Sequence, residues 1–289
     1  MKRMILALVA ISLLFVGVGV GIGWLTAPKT VTPAKNLSGA PLTGNDIYPS
    51  IYITGSSGKV AKMEPMVAAL TKDKSSHATD GLQIVVKENL ELDVKGKIAD
   101  GDRFPTIILG MEKGTNSLDK YEKAIQLVES YLASHYTVPY VNMLGYSTGA
   151  TGILRFIIDY GQDAHYPPVK KFVSLDGVFN DVTPLAKGQS LDQLIQSGPV
   201  AKTDMYKFWE NNIKKVSPST QVMLLAGGYK PDNQSDGFVP WADSFAVYNL
   251  LVKNDNPVLR YIYYGQYSDH TNCPKNAQMI ELVDSFFYH

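Results

Sequence analysis

The chain has 289 residues, 45% of them hydrophobic and 19% charged, with 27 basic and 27 acidic side chains. This size and apolar content allow one sizeable α/β domain with an appendage. A net charge of zero gives no sign of nucleic-acid binding, which usually needs a basic surplus. The single cysteine, Cys273, excludes an intrachain disulfide. The sequence contains no Cys/His metal spacing and no Walker-type loop, so neither a metal nor another cofactor is expected.

The amino-terminal residues have the composition of a membrane segment. Residues 4–25 contain no charged side chain and follow Lys2 and Arg3. About 20 apolar residues span a bilayer as a helix, whereas the core of a signal peptide is usually about 7–15 residues long. We therefore predict that residues 1–27 form an uncleaved anchor in the cell membrane, with the folded domain outside. Secretion after removal of this segment as a signal peptide is the alternative.

A linker and then a folded domain are predicted after the anchor. Residues 28–46 are rich in proline, threonine and lysine and have little to bury, which indicates a flexible tether. From residue 47 to 289, short apolar runs alternate with amphipathic stretches, which predicts a mostly parallel sheet with helices on both faces. Strands are predicted at 50–54, 82–86, 90–98, 106–110, 140–144, 170–177, 220–228 and 259–264, and helices at 118–134, 150–158, 245–252 and 276–287.

Two stretches depart from this alternation. Residues 82–86 and 90–98 follow one another as strands, which predicts an antiparallel hairpin at one edge of the sheet. Residues 178–216 are polar and mixed, with two short helical pieces, and are the best candidate for a small helical cap. The cap aromatics could line an acyl pocket or fasten the cap by packing, and they are Phe179, Tyr206, Phe208 and Trp209.

The sequence Gly145-Tyr146-Ser147-Thr148-Gly149 lies between a predicted strand and a predicted helix. A nucleophile elbow needs this context, a strand, a sharp turn that carries the serine, and then a helix. Residues two before and two after the serine crowd together, which gives Gly145 and Gly149 a steric role. We predict that Ser147 is a nucleophile, with an ordinary glycine-flanked turn as the alternative.

A serine nucleophile needs a base, and the base needs an acid that orients it. Reactive groups of a parallel sheet lie at the carboxyl ends of its strands. Of the five histidines, only His270 follows a predicted strand in a loop, so it is the predicted base. The loop after another strand offers Asp232 and Asp236, of which Asp236, in a tight turn, is the predicted acid, and Asp176 is the runner-up. Asp269 is disfavoured because its carboxylate would have to curl back onto its own neighbour.

Acyl transfer also needs donors for a developing oxyanion. The backbone N–H of Thr148 lies at the start of the predicted helix, where N–H groups are unpaired. The loop after the first central strand offers the N–H of Ser56 as a second donor. Residues 55–58 could otherwise cradle a phosphate, but the Lys-Ser/Thr ending of such a loop is absent.

These residues resemble the α/β-hydrolase superfamily, and more narrowly the membrane-anchored cell-surface hydrolases of Gram-positive bacteria such as lactobacilli. The resemblance extends from about residue 47 to the end, plus the anchor, and depends on residues 145–149, on Ser-Asp-Gly-Phe-Val-Pro-Trp at 235–241, and on His270. It implies an eight-stranded sheet, a Ser-Asp-His triad and esterase- or lipase-like chemistry. Two positions depart from the family pattern, since Thr54 and Tyr146 replace familiar histidines.

Three functions remain open from the sequence. The first is a serine hydrolase that cleaves a small-molecule or lipid ester through an acyl-enzyme on Ser147. The second is a peptidase or amidase with the same three residues, and the third is a non-catalytic cell-surface binding protein on a hydrolase scaffold. Cys273 is expected to be a small packing residue. No nucleic-acid partner is expected, and the sequence indicates no oligomeric state.

Overall fold

A central eight-stranded sheet organises residues 46–229 and 234–289, the part of the chain that the computed structural model describes. The strand order is β3-β2-β4-β1-β5-β6-β7-β8, and every neighbouring pair is parallel except β2 and β3. The predicted antiparallel hairpin therefore lies at one edge. The strands are β1 (Ser50–Ile53), β2 (Thr79–Val86), β3 (Leu92–Gly96), β4 (Pro105–Met111), β5 (Val141–Tyr146), β6 (Val169–Leu175), β7 (Gln221–Gly227) and β8 (Val258–Tyr263).

Helices cover both faces of this sheet, which confirms the predicted fold class. The helices are α1 (Glu64–Lys72), α2 (Leu118–His135), α3 (Thr148–Tyr160), α4 (Leu191–Ser197), α5 (Asp204–Asn212), α6 (Trp241–Ser244), α7 (Tyr248–Lys253) and α8 (Ala277–Tyr288). Side chains of α1 and α8 share one apolar layer, and side chains of α2 to α7 share the other.

The central strands are apolar throughout because both of their faces are covered. All seven residues of β4 are buried. Side chains of β1 alternate between the two layers, since Ile51 and Ile53 pack with α2 and α3 while Tyr52 packs with α1 and α8. The edge strand β3 has no fully buried residue.

The helix predicted at 245–252 is wrong in detail, because the chain forms two short helices, α6 and α7, with a bend between them. Three consecutive residues at the bend, Phe245, Ala246 and Val247, are completely buried. The turn between the two helices therefore lies in the core.

The stretch predicted as a cap contains α4 and α5, and most of its apolar side chains belong to the core. Phe179, Tyr206 and Trp209 are at most 1% exposed, and the indole N–H of Trp209 donates to the carbonyl of Phe179 at 3.0 Å. Phe208 packs against the same layer beneath Arg155. These aromatics fasten the segment by packing, and none of them lines the cleft described below.

The predicted anchor at 1–27 lies outside the described residues, as does the predicted linker at 28–46 apart from Asp46. Within 46–229 and 234–289, no helix combines the length and the apolar composition that crossing a bilayer requires.

Glu129 gives the core a testable dependence on pH. Its carboxyl group is fully buried in α2, and neither oxygen has a hydrogen-bond partner among the described residues. Burial raises the pKa of Glu129 well above its ordinary value, so the folded state favours the neutral form. The free-energy cost of burying the charged form is absent below the pKa of a glutamate in the unfolded chain, about 4.3, and it grows as pH rises above that value.

We expect Glu129→Gln to match the wild type in stability near pH 4 and to exceed it near pH 8. A gain of about 1–3 kcal/mol is expected, because leaving a buried polar group without a partner costs about this much, and more when the group is charged. Urea unfolding across this pH range measures the difference, with Glu281→Gln on the exposed side of α8 as control. A pH-independent difference for Glu129→Gln would contradict the assignment.

Candidate active site

Ser147 occupies a one-residue turn between β5 and α3. Its backbone has φ 55° and ψ −127°, a left-handed conformation that is uncommon for any residue except glycine. The N–H of Ser147 donates to the carbonyl of Leu175 at 2.9 Å, and its own carbonyl accepts from Ala150 at 2.9 Å. Such strain persists only where the surroundings hold it, and it concentrates at functional sites.

The two flanking glycines let neighbouring backbones approach this turn. A Cβ atom on Gly145 would lie 2.3 Å from the nitrogen of Ala150, and one on Gly149 would lie 2.6 Å from the carbonyl oxygen of Thr54. Gly145 therefore allows α3 to fold back on β5, and Gly149 allows α3 to pass the end of β1. A larger residue at either position would force these elements apart.

The loops after β7 and β8 bring two further side chains to Ser147. His270 Nε2 lies 3.1 Å from Ser147 Oγ, and His270 Nδ1 lies 2.5 Å from Asp236 Oδ2. The other carboxylate oxygen of Asp236 accepts the N–H groups of Phe238 and Val239 at 2.8 and 2.6 Å. The structure thus places Ser147, His270 and Asp236 in one hydrogen-bonded chain.

The surroundings of His270 favour its protonated form. Burial lowers the pKa of His270, but the hydrogen bond and the charge of Asp236 raise it more, with smaller contributions from Asp176 and Asp269. The net pKa lies above the ordinary histidine value. Asp269 makes no bond to the imidazole, because its carboxylate accepts from the backbone of Thr271 and Asn272.

Tyr146, one of the departures from the family pattern, connects the turn to the His270 loop. Its hydroxyl donates to the carbonyl of His270 at 2.7 Å, and the two rings lie 5.2 Å apart. A Cβ atom on Gly55 would lie 3.0 Å from the Tyr146 ring, so this ring also contacts the loop after β1. The sequence motif marked the position but gave no indication of these contacts.

Asp176, the runner-up acid, lies behind the Asp236–His270 pair. It is fully buried, and its carboxylate accepts from the N–H of Gly227 at 2.8 Å and from the hydroxyl of Tyr263. Burial and then the charge of Asp236 raise the pKa of Asp176 to about 7. The Asp176 carboxylate makes no direct hydrogen bond to His270, whose Nδ1 bonds to Asp236 instead.

A metal ion fits this cluster poorly. Asp176, Asp236 and His270 are the one group within the described ranges whose ligand-type atoms converge, all within 4.8 Å of one another. Those atoms already hydrogen-bond to protein groups, namely Asp236 to His270, and Asp176 to Gly227 and Tyr263. A cation would have to displace these bonds to coordinate all three groups.

Ser147 and His270 open onto a cleft of about 580 Å³. The predicted oxyanion residues Ser56 and Thr148 line the same cleft. Thr148 is the first residue of α3, so its N–H has no acceptor within the helix. The remaining lining residues are Ser57, Lys62, Asn116, Leu118, Tyr146, Thr151, Val178, Asp181, Val182, Met205, Phe238 and Thr271.

The wall formed by the 178–216 segment depends on a buried carboxylate that the sequence did not reveal. Asp243 is buried in α6 and accepts the backbone N–H groups of Phe179, Asn180 and Thr183 at 2.5–3.2 Å. Next to these donors, Asp181 and Val182 line the cleft with φ values of 53° and 59°. Asp243 thereby holds a strained loop at the edge of the cleft, and no local motif predicts this long-range contact.

The sheet order and the site define an α/β-hydrolase architecture. The family model described as "Alpha/beta hydrolase of unknown function (DUF915)" matches residues 41–289. The chain belongs to this family and is an α/β hydrolase. The resemblance inferred from the residues is therefore confirmed.

Two solved structures share the fold. The lin2722 gene product of Listeria innocua has 24% identity and a TM-score of 0.74, covering 82% of this chain and 92% of its own. A Lactobacillus plantarum protein assigned as a cell surface hydrolase has 19% identity and a TM-score of 0.67, covering 83% and 91%. At this identity the likeness establishes the fold alone. No curated protein matches the sequence significantly.

The Tyr146 hydroxyl can be tested for its part in holding the His270 loop. Tyr146→Phe keeps the ring and removes the donor to the His270 carbonyl, so we expect a loss of about 1 kcal/mol in the free energy of unfolding. Tyr131→Phe is the control, because the Tyr131 hydroxyl has no hydrogen-bond partner within the described ranges. Equal effects of the two substitutions in urea unfolding would contradict the role of Tyr146.

Proposed function

We propose that this protein is a serine hydrolase that cleaves carboxylic esters through an acyl-enzyme on Ser147. The observation that carries the proposal is the hydrogen-bonded chain from Ser147 Oγ through His270 to Asp236, with distances of 3.1 and 2.5 Å. A serine with a positioned base, and a base with an orienting acid, is the arrangement that nucleophilic acyl transfer requires.

Each group has one role in the proposed reaction. Ser147 Oγ attacks the ester carbonyl carbon while its proton passes to His270 Nε2. Asp236 accepts the Nδ1 proton, which fixes the tautomer of His270 and stabilises the imidazolium that forms. The N–H groups of Ser56 and Thr148 would stabilise the oxyanion. His270 then protonates the departing alcohol, and a water molecule, deprotonated by His270, releases the acid.

The cleft supports a small or lipid-derived ester as substrate. Its lining is mixed and includes the polar residues Ser56 and Ser57 and the apolar residues Val182 and Met205. At the mouth, Phe238 is 62% exposed and its ring lies 5.1 Å from that of His270. An exposed aromatic ring beside the base offers apolar contact to an acyl or alcohol group.

The cellular location is part of the same proposal. Residues 1–27 would anchor the protein in the cell membrane by one helix, with the hydrolase domain outside the cell. This follows from the uncharged run at 4–25 after Lys2 and Arg3. The substrate would then be an ester of the cell envelope or the medium. Secretion after cleavage of the segment is the alternative.

Removal of the nucleophile tests the proposal. We expect Ser147→Ala to lower kcat for p-nitrophenyl butyrate by about 10⁴-fold or more, because no other group can form the acyl-enzyme. Ser134→Ala on the exposed surface of α2 is the control and should retain full activity. If the wild-type protein hydrolyses no short ester, the amidase or the non-catalytic alternative becomes the better account. If Ser147→Ala retains the wild-type rate, Ser147 is not the nucleophile.

The pH profile tests the role of His270. The base must be neutral to accept the Ser147 proton, so kcat/KM should rise with pH through the pKa of His270 in the free enzyme. Since the net effect of the surroundings raises this pKa, the midpoint should lie above 6.5, the ordinary histidine value. Asp236→Asn should lower kcat by about 10⁴-fold, because an amide favours the wrong tautomer. A flat profile from about pH 5 to 9 would argue against His270 as the base.

A further inference from the structure

Asp176 is a buried carboxyl group at the reaction centre that the Ser147–His270–Asp236 chain does not use. We propose that Asp176 is a second acidic partner of His270, a positioning residue whose negative charge stabilises the imidazolium formed when His270 takes the Ser147 proton. This inference rests on the proposed function. It assigns a role to a residue that touches neither the nucleophile nor the cleft.

The backbone fixes Asp176 at this place. It follows β6 with φ 49°, a second left-handed non-glycine residue at the carboxyl end of the sheet besides Ser147. Its N–H donates to the carbonyl of Leu225 at 2.9 Å, while its carboxylate accepts from Gly227 at 2.8 Å and from the Tyr263 hydroxyl. Donors from the ends of β7 and β8 therefore hold the carboxylate in one orientation.

That orientation brings a second negative charge to the histidine. The Asp176 carboxylate, the Asp236 carboxylate and a ring nitrogen of His270 all lie within 4.8 Å of one another, and both acids are at most 1% exposed. An opposite charge within about 4–6 Å stabilises a protonated group, and burial limits its screening by solvent.

The groups around the two acids offer one possible cation. Titratable side chains face Asp176 or His270 from the ends of β5 and β8, from the loops after β7 and β8, and from the turn before α8. They are Tyr146, Tyr263, Asp236, Asp269 and Cys273. None of these five can carry a positive charge. Protonation of His270 is therefore the step that brings a positive charge next to Asp176 in this cluster.

The proton balance of the step is simple. The Ser147 proton moves to His270 Nε2, the new bond forms between Ser147 Oγ and the carbonyl carbon, and Asp176 neither gains nor loses a proton. Burial and the neighbouring Asp236 charge raise the pKa of Asp176 to about 7, while the Tyr263 hydrogen bond opposes this. Asp176 therefore contributes its full charge only above neutral pH.

Asp176→Asn separates the charge from the structural role. The amide keeps the size of the side chain, its oxygen can accept from Gly227, and its NH₂ group can donate to the Tyr263 oxygen. The full-length wild type and Asp176→Asn are compared with p-nitrophenyl butyrate as substrate. We expect the acid limb of the pH profile of kcat/KM to lie about one pH unit lower in Asp176→Asn than in the wild type. We also expect kcat near pH 8 to fall by about tenfold, because the imidazolium loses a stabilising charge.

Asp269→Asn is the matched control. It removes the same charge from the residue next to His270, but Asp269 is only partly buried and solvent screens it. The acid limb of kcat/KM should move much less in Asp269→Asn than in Asp176→Asn. Equal movement in both variants, or no movement in Asp176→Asn, would overturn the proposal.

A titration of the His270 imidazole by NMR keeps this test separate from catalysis. The pKa of His270 should fall in Asp176→Asn whether or not the protein hydrolyses esters, so an inactive wild type would refute the proposed function and leave this measurement valid. If Asp176→Asn fails to fold, Tyr263→Phe removes one donor to Asp176 and keeps its carboxyl group. Asp176 is then protonated to a higher pH, so the pKa of His270 should be lower than in the wild type. An unchanged His270 titration in Tyr263→Phe would overturn the proposal.

Discussion

The strained turn at Ser147 is the constraint on which the rest of the site depends. Its left-handed backbone is held because α3 begins against the ends of β5 and β1. The neighbouring backbone leaves no room for a side chain on Gly145 or Gly149. The turn places Ser147 Oγ at the carboxyl edge of the sheet, which is also where the loops after β6, β7 and β8 begin. A parallel sheet collects reactive groups at this edge, so the strain of one residue aligns the serine with side chains far away in sequence.

Buried acids determine the electrostatics around that turn. The carboxylate of Asp236 accepts hydrogen bonds from two backbone N–H groups and from the imidazole of His270. That of Asp176 accepts from the N–H of Gly227 and the hydroxyl of Tyr263, and that of Asp243 accepts from the backbone of the loop that begins at Phe179. Each carboxyl group would be costly to bury without these donors. The donors belong to chain segments that must stay close together for the cleft to keep its shape. The same hydrogen bonds therefore stabilise the fold at this edge and fix the charges near His270.

Much of this arrangement follows from local patterns in the sequence. Continuous apolar runs predicted β4 and β5. The rule that reactive groups follow parallel strands selected His270, and the turn pattern of residues 235–241 favoured Asp236 over the runner-up Asp176. The rest depends on contacts between distant residues. The turn at 245–247 lies in the core between two short helices, and the role of Asp243 depends on backbone donors about 60 residues earlier. Periodicity reports neither, and composition alone could not tell whether the cap aromatics pack in the core or line the cleft.

The central claim is that Ser147 is a nucleophile activated by His270. The most direct measurement is labelling of the full-length protein with a fluorophosphonate, followed by intact mass and peptide mapping. Our account predicts one phosphonate group per chain on Ser147, slower labelling when a short ester competes, and loss of labelling in Ser147→Ala and His270→Ala. Absence of labelling in the folded wild type, or labelling of a different residue, would contradict it.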